Sequence, residues 1–416
     1  MAWEVRTRAG HRLISLTDAQ EHVLALVAPL TPARVWTVAA VGCVLAETVS
    51  SPEAVPPFAN TAMDGYAVRA ADTADAPVEL RVVAEVAAGH PAVMPLGPGE
   101  AMRIFTGAPI PEGADSIVMV ERTRRLDDGR RVVIEVAVGP GLHVRPAGDD
   151  LRVGDLVFSP GEVVTPGHLG VLAGIAVGEV LVHPRPRVGV LSTGDELVEG
   201  GGPLGPGQIR DSNRATLLAL VAQSGCMAID LGLIRDDEAA ITAAISEGAA
   251  TCDAVITSGG VSMGDIDLVR VVLDRLGDMQ WMQIAIRPAK PFAFGLVGDR
   301  RTPVLGLPGN PVSSMVSFEL LARPALRRLA GRVDVYRPAV VATAAEAFDR
   351  TPDGKIHFVR IHAERDGEGT LHVRSAGGQG SHHLTAMARA QGLAIIPDGN
   401  GIQEGDTMRV LLLAEV

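Results

Sequence analysis

Aromatic rings are scarce: eight Phe, three Trp and two Tyr make up 3% of 416 residues, while 47% of the chain is hydrophobic. Cores must then be built from Val, Leu, Ile and Ala, a composition that suits sheets packed by helices. Cysteine is also rare. Cys43, Cys226 and Cys252 lie far apart with no C-x-x-C spacing, which argues against a zinc site and a disulfide framework and fits a reducing compartment. Positive charge is in deficit, with 37 Lys and Arg against 49 Asp and Glu and a net charge of −12. A broad nucleic-acid surface needs clustered Lys and Arg and is not expected, although a local basic pocket for a small anion remains open. Long apolar runs are missing too. The stretch from Leu169 to Val182 carries Glu179 and is too short to span a bilayer, and Met1 to Leu16 lacks the apolar core of a signal peptide. A cytoplasmic protein without a membrane partner is expected.

The chain also lacks a G-x-x-x-x-G-K-[ST] loop, a G-x-G-x-x-G turn after a strand, H-E-x-x-H and G-x-S-x-G. Kinase, dehydrogenase, zinc hydrolase and lipase readings lose support together.

What is present divides the chain by texture. A length of 416 residues predicts several domains. Thr17 to Pro29 reads as a helix with Thr17 as N-cap and Gln20 at the capping-box position, and a second helical pattern covers Ala33 to Ala46. From Val78 to Val138, short alternating runs of β-formers are separated by Gly, Pro and Asp. Pro- and Gly-rich flanks mark this β-unit as an insertion. The expected partition is a discontinuous N-terminal domain from 1–50 and 145–182, an inserted β-domain 51–144, an α/β domain 183–332 and a C-terminal β-domain 333–416.

From Arg187 onward, buried strands alternate with amphipathic helices. Strands are predicted at Arg187–Leu191, Ala228–Ile234, Ala254–Ser258, Met282–Ile286, Phe292–Val297 and Val304–Leu307. Helices are predicted at Asn213–Gln223, Glu238–Glu247, Ile266–Leu276 and Pro311–Ala330, the last interrupted at Pro324. This pattern implies a mostly parallel sheet covered on both faces. Ligands of such sheets bind beyond the carboxyl ends of the strands. There stand Ser192-Thr193-Gly194-Asp195-Glu196, Arg235-Asp236-Asp237, Ser258-Gly259-Gly260, Arg287-Pro288-Ala289-Lys290 and Pro308-Gly309-Asn310.

Each element has a plain alternative. Gly194 and Gly309 could only supply turns, Asp236 or Asp237 could only cap the next helix, and Ser258-Gly259-Gly260 could be a turn or an anion nest. Were Glu196, Asp236 and Asp267 to share a pocket, two such charges about 4 Å apart would repel by about 4 kcal/mol at an effective dielectric near 20. A cation would relieve that, and hard oxygen ligands with room for phosphate suit Mg²⁺. Arg287 and Lys290, set between prolines, read as an oxyanion grip that needs further donors from another domain.

Thr61-Ala-Met-Asp-Gly-Tyr-Ala67, Thr106-Gly-Ala-Pro109, Ser192–Glu196, Ser258–Ser262, Arg287–Pro291, Leu307–Pro311 and Gln379-Gly-Ser381, in this order along nearly the whole chain, resemble the molybdopterin molybdenumtransferase family, called MoeA in bacteria and similar to the E-domain of gephyrin. The resemblance implies a multidomain α/β plus β fold: a central three-layer α/β domain like those of MogA and MoaB, a small β-domain inserted in an extended N-terminal domain, and a C-terminal β-barrel-like domain. It implies a homodimer with an active site shared between subunits, and transient contact with a molybdopterin adenylyltransferase and apo-molybdoenzymes. The implied reaction inserts molybdate into adenylylated molybdopterin with Mg²⁺, releasing AMP.

By that resemblance Glu196, Asp236 and Asp267 are catalytic and hold Mg²⁺. Asp64 is a further catalytic residue, brought with Thr106 by the partner subunit. Thr106, Thr193, Gly194, Ser258, Gly259, Gly260, Pro308 and Asn310 bind substrate, and Arg287, Lys290, Arg360 and Ser381 bind molybdate. The chain departs from the pattern in carrying Arg287 where many members have Lys, Ile266 where a polar residue is frequent, and His382-His383 without an assigned role. A molybdopterin adenylyltransferase and a non-catalytic pterin-binding scaffold are the alternatives.

Overall fold

A computed structural model describes residues 13–260 and 268–414. The chain divides into two compact units, one from residues 34–41 and 45–181 and the other from the described residues up to Ala33, Gly42–Val44 and those from Val182 onward.

In the larger unit, the sheet order is Met227–Ile234, Arg187–Thr193, Ala254–Ser258, Thr302–Leu307, Pro291–Val297, Gly277–Gln283. The first four strands are parallel, Pro291–Val297 alone runs against them, and Gly277–Gln283 returns to their direction, so the mostly parallel sheet is borne out. Alternation of side chains explains why these strands read as continuous apolar runs. Val190, Ile256 and Leu305 enter one core with Leu217, Val221 and Val316, while their neighbours Leu191, Val255 and Val304 enter a second core with Ile241, Ile245 and Val272. A strand buried on both faces needs apolar side chains at both parities. The result is a three-layer α/β domain.

Helices Asn213–Gln223 and Glu238–Thr251 stand where predicted, the second running a turn longer. The described part of the next helix, Leu268–Leu276, presents Val269, Val272 and Leu273 to the core; the predicted start at Ile266 lies outside the described residues. The interruption of Pro311–Ala330 is a π-turn over Phe318–Ala322, with Pro324 at the start of the helix Arg323–Leu329. Pro324 cannot donate into the helix ladder, and a widened turn precedes it.

After Ala339 the chain closes a five-stranded barrel in the order Ile356–Arg365, Leu371–Ser375, Ala339–Ala344, Thr407–Leu412, Gly392–Ile396 and back to the first strand. Closure removes both sheet edges. The short strand Ile286–Arg287 leaves the α/β sheet and pairs in parallel with Ile356–His357 of the barrel. Its prediction as part of one strand, Met282–Ile286, is therefore corrected.

Two helical expectations change. The first helix spans Leu16–Leu26 and is capped by Ser15, which accepts from the Asp18 amide at 3.0 Å, rather than by Thr17. Its Ala19 and Val23 join the α/β core, and Gln20 donates to the Leu320 carbonyl at 2.8 Å. The stretch Ala33–Ala46 is not one helix but a strand Ala33–Trp36, a single turn Thr37–Ala40 and a two-residue strand Val44–Leu45. Its β-branched Val and Thr residues and Trp36 favour extended backbone, and Gly42 at φ +86° breaks any longer helix.

The smaller unit holds a six-stranded sheet in the order Ser116–Met119, Gly65–Val68, Glu100–Ile104, Val78–Val86, Arg131–Ile134, Thr123–Leu126. Two apolar clusters, one with Tyr66, Leu80 and Ile134 and another with Met102, Ile104 and Ile117, cover its faces. Among the described residues, no helix is long and apolar enough to cross a membrane.

Candidate active site

Strand register brings the predicted motifs to one edge. Ser192 lies opposite Ser258, Thr193 opposite Ile234, and Ser258 opposite Leu307, so four strands end level with one another. Gly194, at φ +147°, turns the chain out of the sheet, and a Cβ there would lie 2.5 Å from Glu196 Oε2. A side chain at 194 would be strained at this φ, and the Glu196 carboxylate folds back over the Gly194 backbone. Asp195 Oδ1 accepts from the Asp236 amide at 3.2 Å, tying the two acidic loops together. The choice between Asp236 and Asp237 is resolved: Asp237 caps the helix Glu238–Thr251, accepting from the Ala240 amide at 2.8 Å. Asp236 is exposed, and among the described residues neither its carboxylate nor that of Glu196 has a hydrogen-bond or ion-pair partner. Asp267, the third predicted acid, lies outside the described residues. Among those described, no three His, Cys, Asp or Glu side chains gather as a metal site.

Ser258-Gly259-Gly260 makes a turn in which both glycines are left-handed, φ +96° and +71°. The Gly259 amide donates to the Leu307 carbonyl at 3.1 Å, which removes it from the donors of the anion-nest reading. Asn213, one residue into its helix, donates to Ser258 Oγ at 2.8 Å and to the Gly309 carbonyl at 2.7 Å. It clamps two strand exits together. Pro308 is buried, while Asn310 is exposed and precedes Pro311 at the next helix start, its side chain making no capping bond.

The barrel adds the basic groups. Arg287 sits in register with His357, three residues before Arg360 on the same barrel strand. Arg287 and Lys290 are exposed, and between them Ala289 is buried in a left-handed conformation at φ +73°. That kink displays the two cations from a fixed turn. Beside Arg287, burial holds the His357 imidazole below its ordinary pKa against the opposing pull of Asp353, with Arg350 and Arg287 adding to the lowering.

Arg360 is wholly buried. Its Nη2 donates to the carbonyls of Gly378, at 2.6 Å, and Gly380, at 3.3 Å, while Nε and Nη1 are buried without a hydrogen-bond partner among the described residues. Burial depresses its pKa as well. Gln379 fixes the loop around it, accepting from the Arg360 amide at 3.0 Å and donating to the Arg360 carbonyl at 3.1 Å. The next residue but one, Ser381, accepts at its carbonyl from the Val312 amide at 3.1 Å, in the first turn after Asn310. Ser381 and Arg360 thereby join the edge that carries Ser258 and Asn310.

In the smaller unit, Gly65 pairs with Ile104, which places the ends of their strands side by side. Asp64 Oδ1 accepts from both the amide, at 2.8 Å, and the hydroxyl, at 2.7 Å, of Thr106. These two bonds, with Arg103 nearby, hold the Asp64 carboxyl below its ordinary pKa. The predicted pair is thus a hydrogen-bonded unit.

Comparison with known proteins agrees with this layout. Residues 14–176 match the MoeA N-terminal region, domains I and II, 189–328 a probable molybdopterin-binding domain, and 342–413 the MoeA C-terminal region, domain IV. A protein of Mycobacterium tuberculosis named molybdopterin molybdenumtransferase 2 is 40% identical over 396 residues, covering 92% of this chain and 95% of that protein. The chain belongs to the molybdopterin molybdenumtransferase, or MoeA, family. A member from Haemophilus influenzae is 38% identical over 368 residues, covering 88% of this chain and 90% of its own length. The crystal structure of a molybdopterin biosynthesis MoeA protein from Pyrococcus horikoshii superposes with a TM-score of 0.79 at 28% identity, over 96% of this chain and 100% of that one.

Family membership over both β-regions disfavours the adenylyltransferase and scaffold alternatives. It also directs attention to residues that motif reading passed over. Asn213 and Asp195 hold the MoeA-type edge together through contacts distant in sequence. Arg103 lies between the rings of Tyr66, 5.2 Å, and Phe105, 5.1 Å, and donates to the Gly65 carbonyl at 3.0 Å, bracing the corner that carries Asp64. Alternation of Arg103 with the buried Met102 and Ile104 gave it the look of a surface strand residue.

Proposed function

We propose that this chain inserts molybdate into adenylylated molybdopterin, with hydrolysis of the adenylate and release of AMP. The observation that carries the proposal is Arg360, a buried guanidinium with two N–H-bearing nitrogens that no group among the described residues meets. A cation kept this way at a cost of about 1–3 kcal/mol per unsatisfied group calls for an anion. Ser381 follows Gly380, whose carbonyl takes Nη2, Arg287 stands in register with the barrel strand that carries Arg360, and Lys290 lies three residues on, so the group supports capture of a tetrahedral oxyanion.

Across the edge, Glu196 and Asp236 are carboxylates without partners, suited to Mg²⁺, which takes one or two carboxylates and completes its shell with water and phosphate. Bound there, Mg²⁺ would polarise the adenylate phosphate. Glu196 folds back over Gly194, and the Asp236 backbone is tied to Asp195. Thr193, Gly194, Ser258, Gly260, Pro308 and Asn310 form the floor that binds the pterin adenylate, and Asp267 is read as a third acid. The proposal includes a homodimer whose cleft takes Asp64 and Thr106 from the second subunit, the charged Asp64 orienting a proton-bearing group of the substrate. It also includes a cytoplasmic setting and transient handover from a molybdopterin adenylyltransferase to apo-molybdoenzymes.

The test is incubation of the full chain with adenylylated molybdopterin, Mg²⁺ and molybdate, measuring AMP and reconstitution of an apo-molybdoenzyme. Molybdate-dependent cofactor is the expected product. ATP turnover with free pterin, and no AMP from the adenylylated substrate, would overturn the proposal.

A further inference from the structure

His382 and His383 follow Ser381, and their side chains stand outside the fold's hydrogen-bond network: among the described residues, neither ring nitrogen of either has a hydrogen-bond partner. Their backbones are committed, since the His383 carbonyl accepts from Met387 and the His382 carbonyl from Leu384. The rings pack edge-on against each other with centroids 4.2 Å apart. They lie on two particular glycines. A Cβ at Gly380 would stand 2.9 Å from His382 Cε1, and a Cβ at Gly378 would overlap His383 Nδ1. These are the residues whose carbonyls take Arg360 Nη2. The imidazoles therefore rest on the loop that holds a wholly buried guanidinium, whose Nε and Nη1 are unpartnered.

We infer that His382 and His383 are additional ligands of the oxyanion, donating ring N–H groups to molybdate oxygens from the solvent side while Arg360 meets it from the buried side. The inference rests on the reading of Arg360 and Ser381 as an oxyanion site. Each imidazole keeps one N–H donor even when neutral, and a tetrahedral oxyanion offers more acceptor positions than Arg360 and Ser381 can fill. The two glycines have a clear role in this arrangement: any side chain at either position would lift a ring off the loop. The acceptor is charged, but both rings are exposed and give up water to bind it, so the two hydrogen bonds correspond to a change in affinity of about 5- to 100-fold.

The experiment uses the full chain and sodium molybdate alone. First, the unmodified protein is treated with diethyl pyrocarbonate with and without molybdate, and carbethoxylation is read residue by residue by mass spectrometry. Molybdate should protect His382 and His383, while exposed His90 remains an internal standard. Second, equilibrium dialysis with radioactive molybdate compares the wild type, the His382→Phe/His383→Phe double variant and Arg360→Met. Phenylalanine keeps a ring on each glycine but has no donor, so the double variant should weaken binding about 5- to 100-fold and His→Asn at both positions should restore part of it. If Arg360→Met loses binding while the histidines are unprotected and the double variant binds as the wild type does, the inference is overturned and the oxyanion site stands. If Arg360→Met binds normally, both fall. Should the double variant fail to fold, protection in the unmodified protein decides alone.

Discussion

Replacing Arg360 by Met separates an anion ligand from a structural cation. For an ordinary buried ion pair, removing one partner costs about 3–5 kcal/mol because an uncompensated charge is left behind. Arg360 has no carboxylate partner among the described residues, and only Nη2 is satisfied, by the carbonyls of Gly378 and Gly380. The substitution removes two buried unsatisfied groups, each costing about 1–3 kcal/mol, and forfeits two charge-assisted hydrogen bonds of about 1.5–3 kcal/mol each. Gly378 is exposed and Gly380 half-buried, so water can replace part of that loss. The opposing effects leave a change of about 2 kcal/mol or less in either direction. Molybdate at a hundred times its Kd should stabilise the wild type by about 2.7 kcal/mol and the variant not at all. Native-state hydrogen exchange of amides in Ile356–Arg365 and Leu371–Ser375 reports the barrel's opening free energy directly, with and without molybdate. A loss above about 3 kcal/mol in the ligand-free variant, with stabilisation by molybdate retained, would refute the reasoning and make Arg360 a structural cation.

Thr106→Val removes the hydroxyl donor to Asp64 and keeps the amide, so the Asp64 pKa should rise toward the ordinary carboxylate value. Because the folded-state pKa is depressed, the carboxylate's contribution is present above the unfolded pKa and lost as pH falls through the folded one; in the variant the contribution is smaller and its loss is complete at a higher pH. A ¹³C NMR titration of the Asp64 carboxyl checks this, and an unmoved midpoint would contradict it. Asn213→Ala breaks the bonds to Ser258 and Gly309 and should cost about 1–3 kcal/mol, read as faster exchange of amides around both strand exits; unchanged exchange would show that the clamp is dispensable. Gly194→Ala should displace the Glu196 carboxylate and reduce AMP release by about 100-fold, since a 1 Å misplacement costs on that order. Wild-type turnover in that variant would show that the orientation of Glu196 is irrelevant.

The α/β strands were legible because burial on both faces demands apolar residues at both parities, as at Val188–Leu191 and Ala254–Ile256. Two features hid from the same reading. In Ala33–Ala46 the spacing of apolar residues fits a helix, but residue type and Gly42 decide the outcome, and only tertiary pairing selects strands of two to four residues. The exchange of Ile286–Arg287 into the barrel is invisible for a related reason: a two-residue strand carries no period that names its partner sheet. The cap of the first helix moved from Thr17 to Ser15 because both hydroxyls stand within one turn of the same apolar face.

At the site, side-chain type in the sequence marked the groups proposed to face substrate better than the groups that hold them. Glu196, Asp236, Arg287, Lys290 and Arg360 stand out as charges at strand ends or on a strand, and all retain unsatisfied capacity among the described residues. Asp195, Asp237, Asn213 and Gln379 have their polar atoms committed to backbone groups or to Ser258 and Ser375, some across many residues of sequence. A satisfied side chain lowers the free energy of the folded chain and can be explained by it. A buried unsatisfied one such as Arg360 raises that free energy and calls for a ligand outside the chain, whereas an exposed one such as Asp236 is solvated and free to take a ligand. This distinction separates Asp236 from Asp237, neighbours of identical chemistry that the sequence could not tell apart. It also singles out Arg360, whose two free nitrogens are buried where water cannot serve them, as the position from which an anion's binding can be measured against the stability it restores.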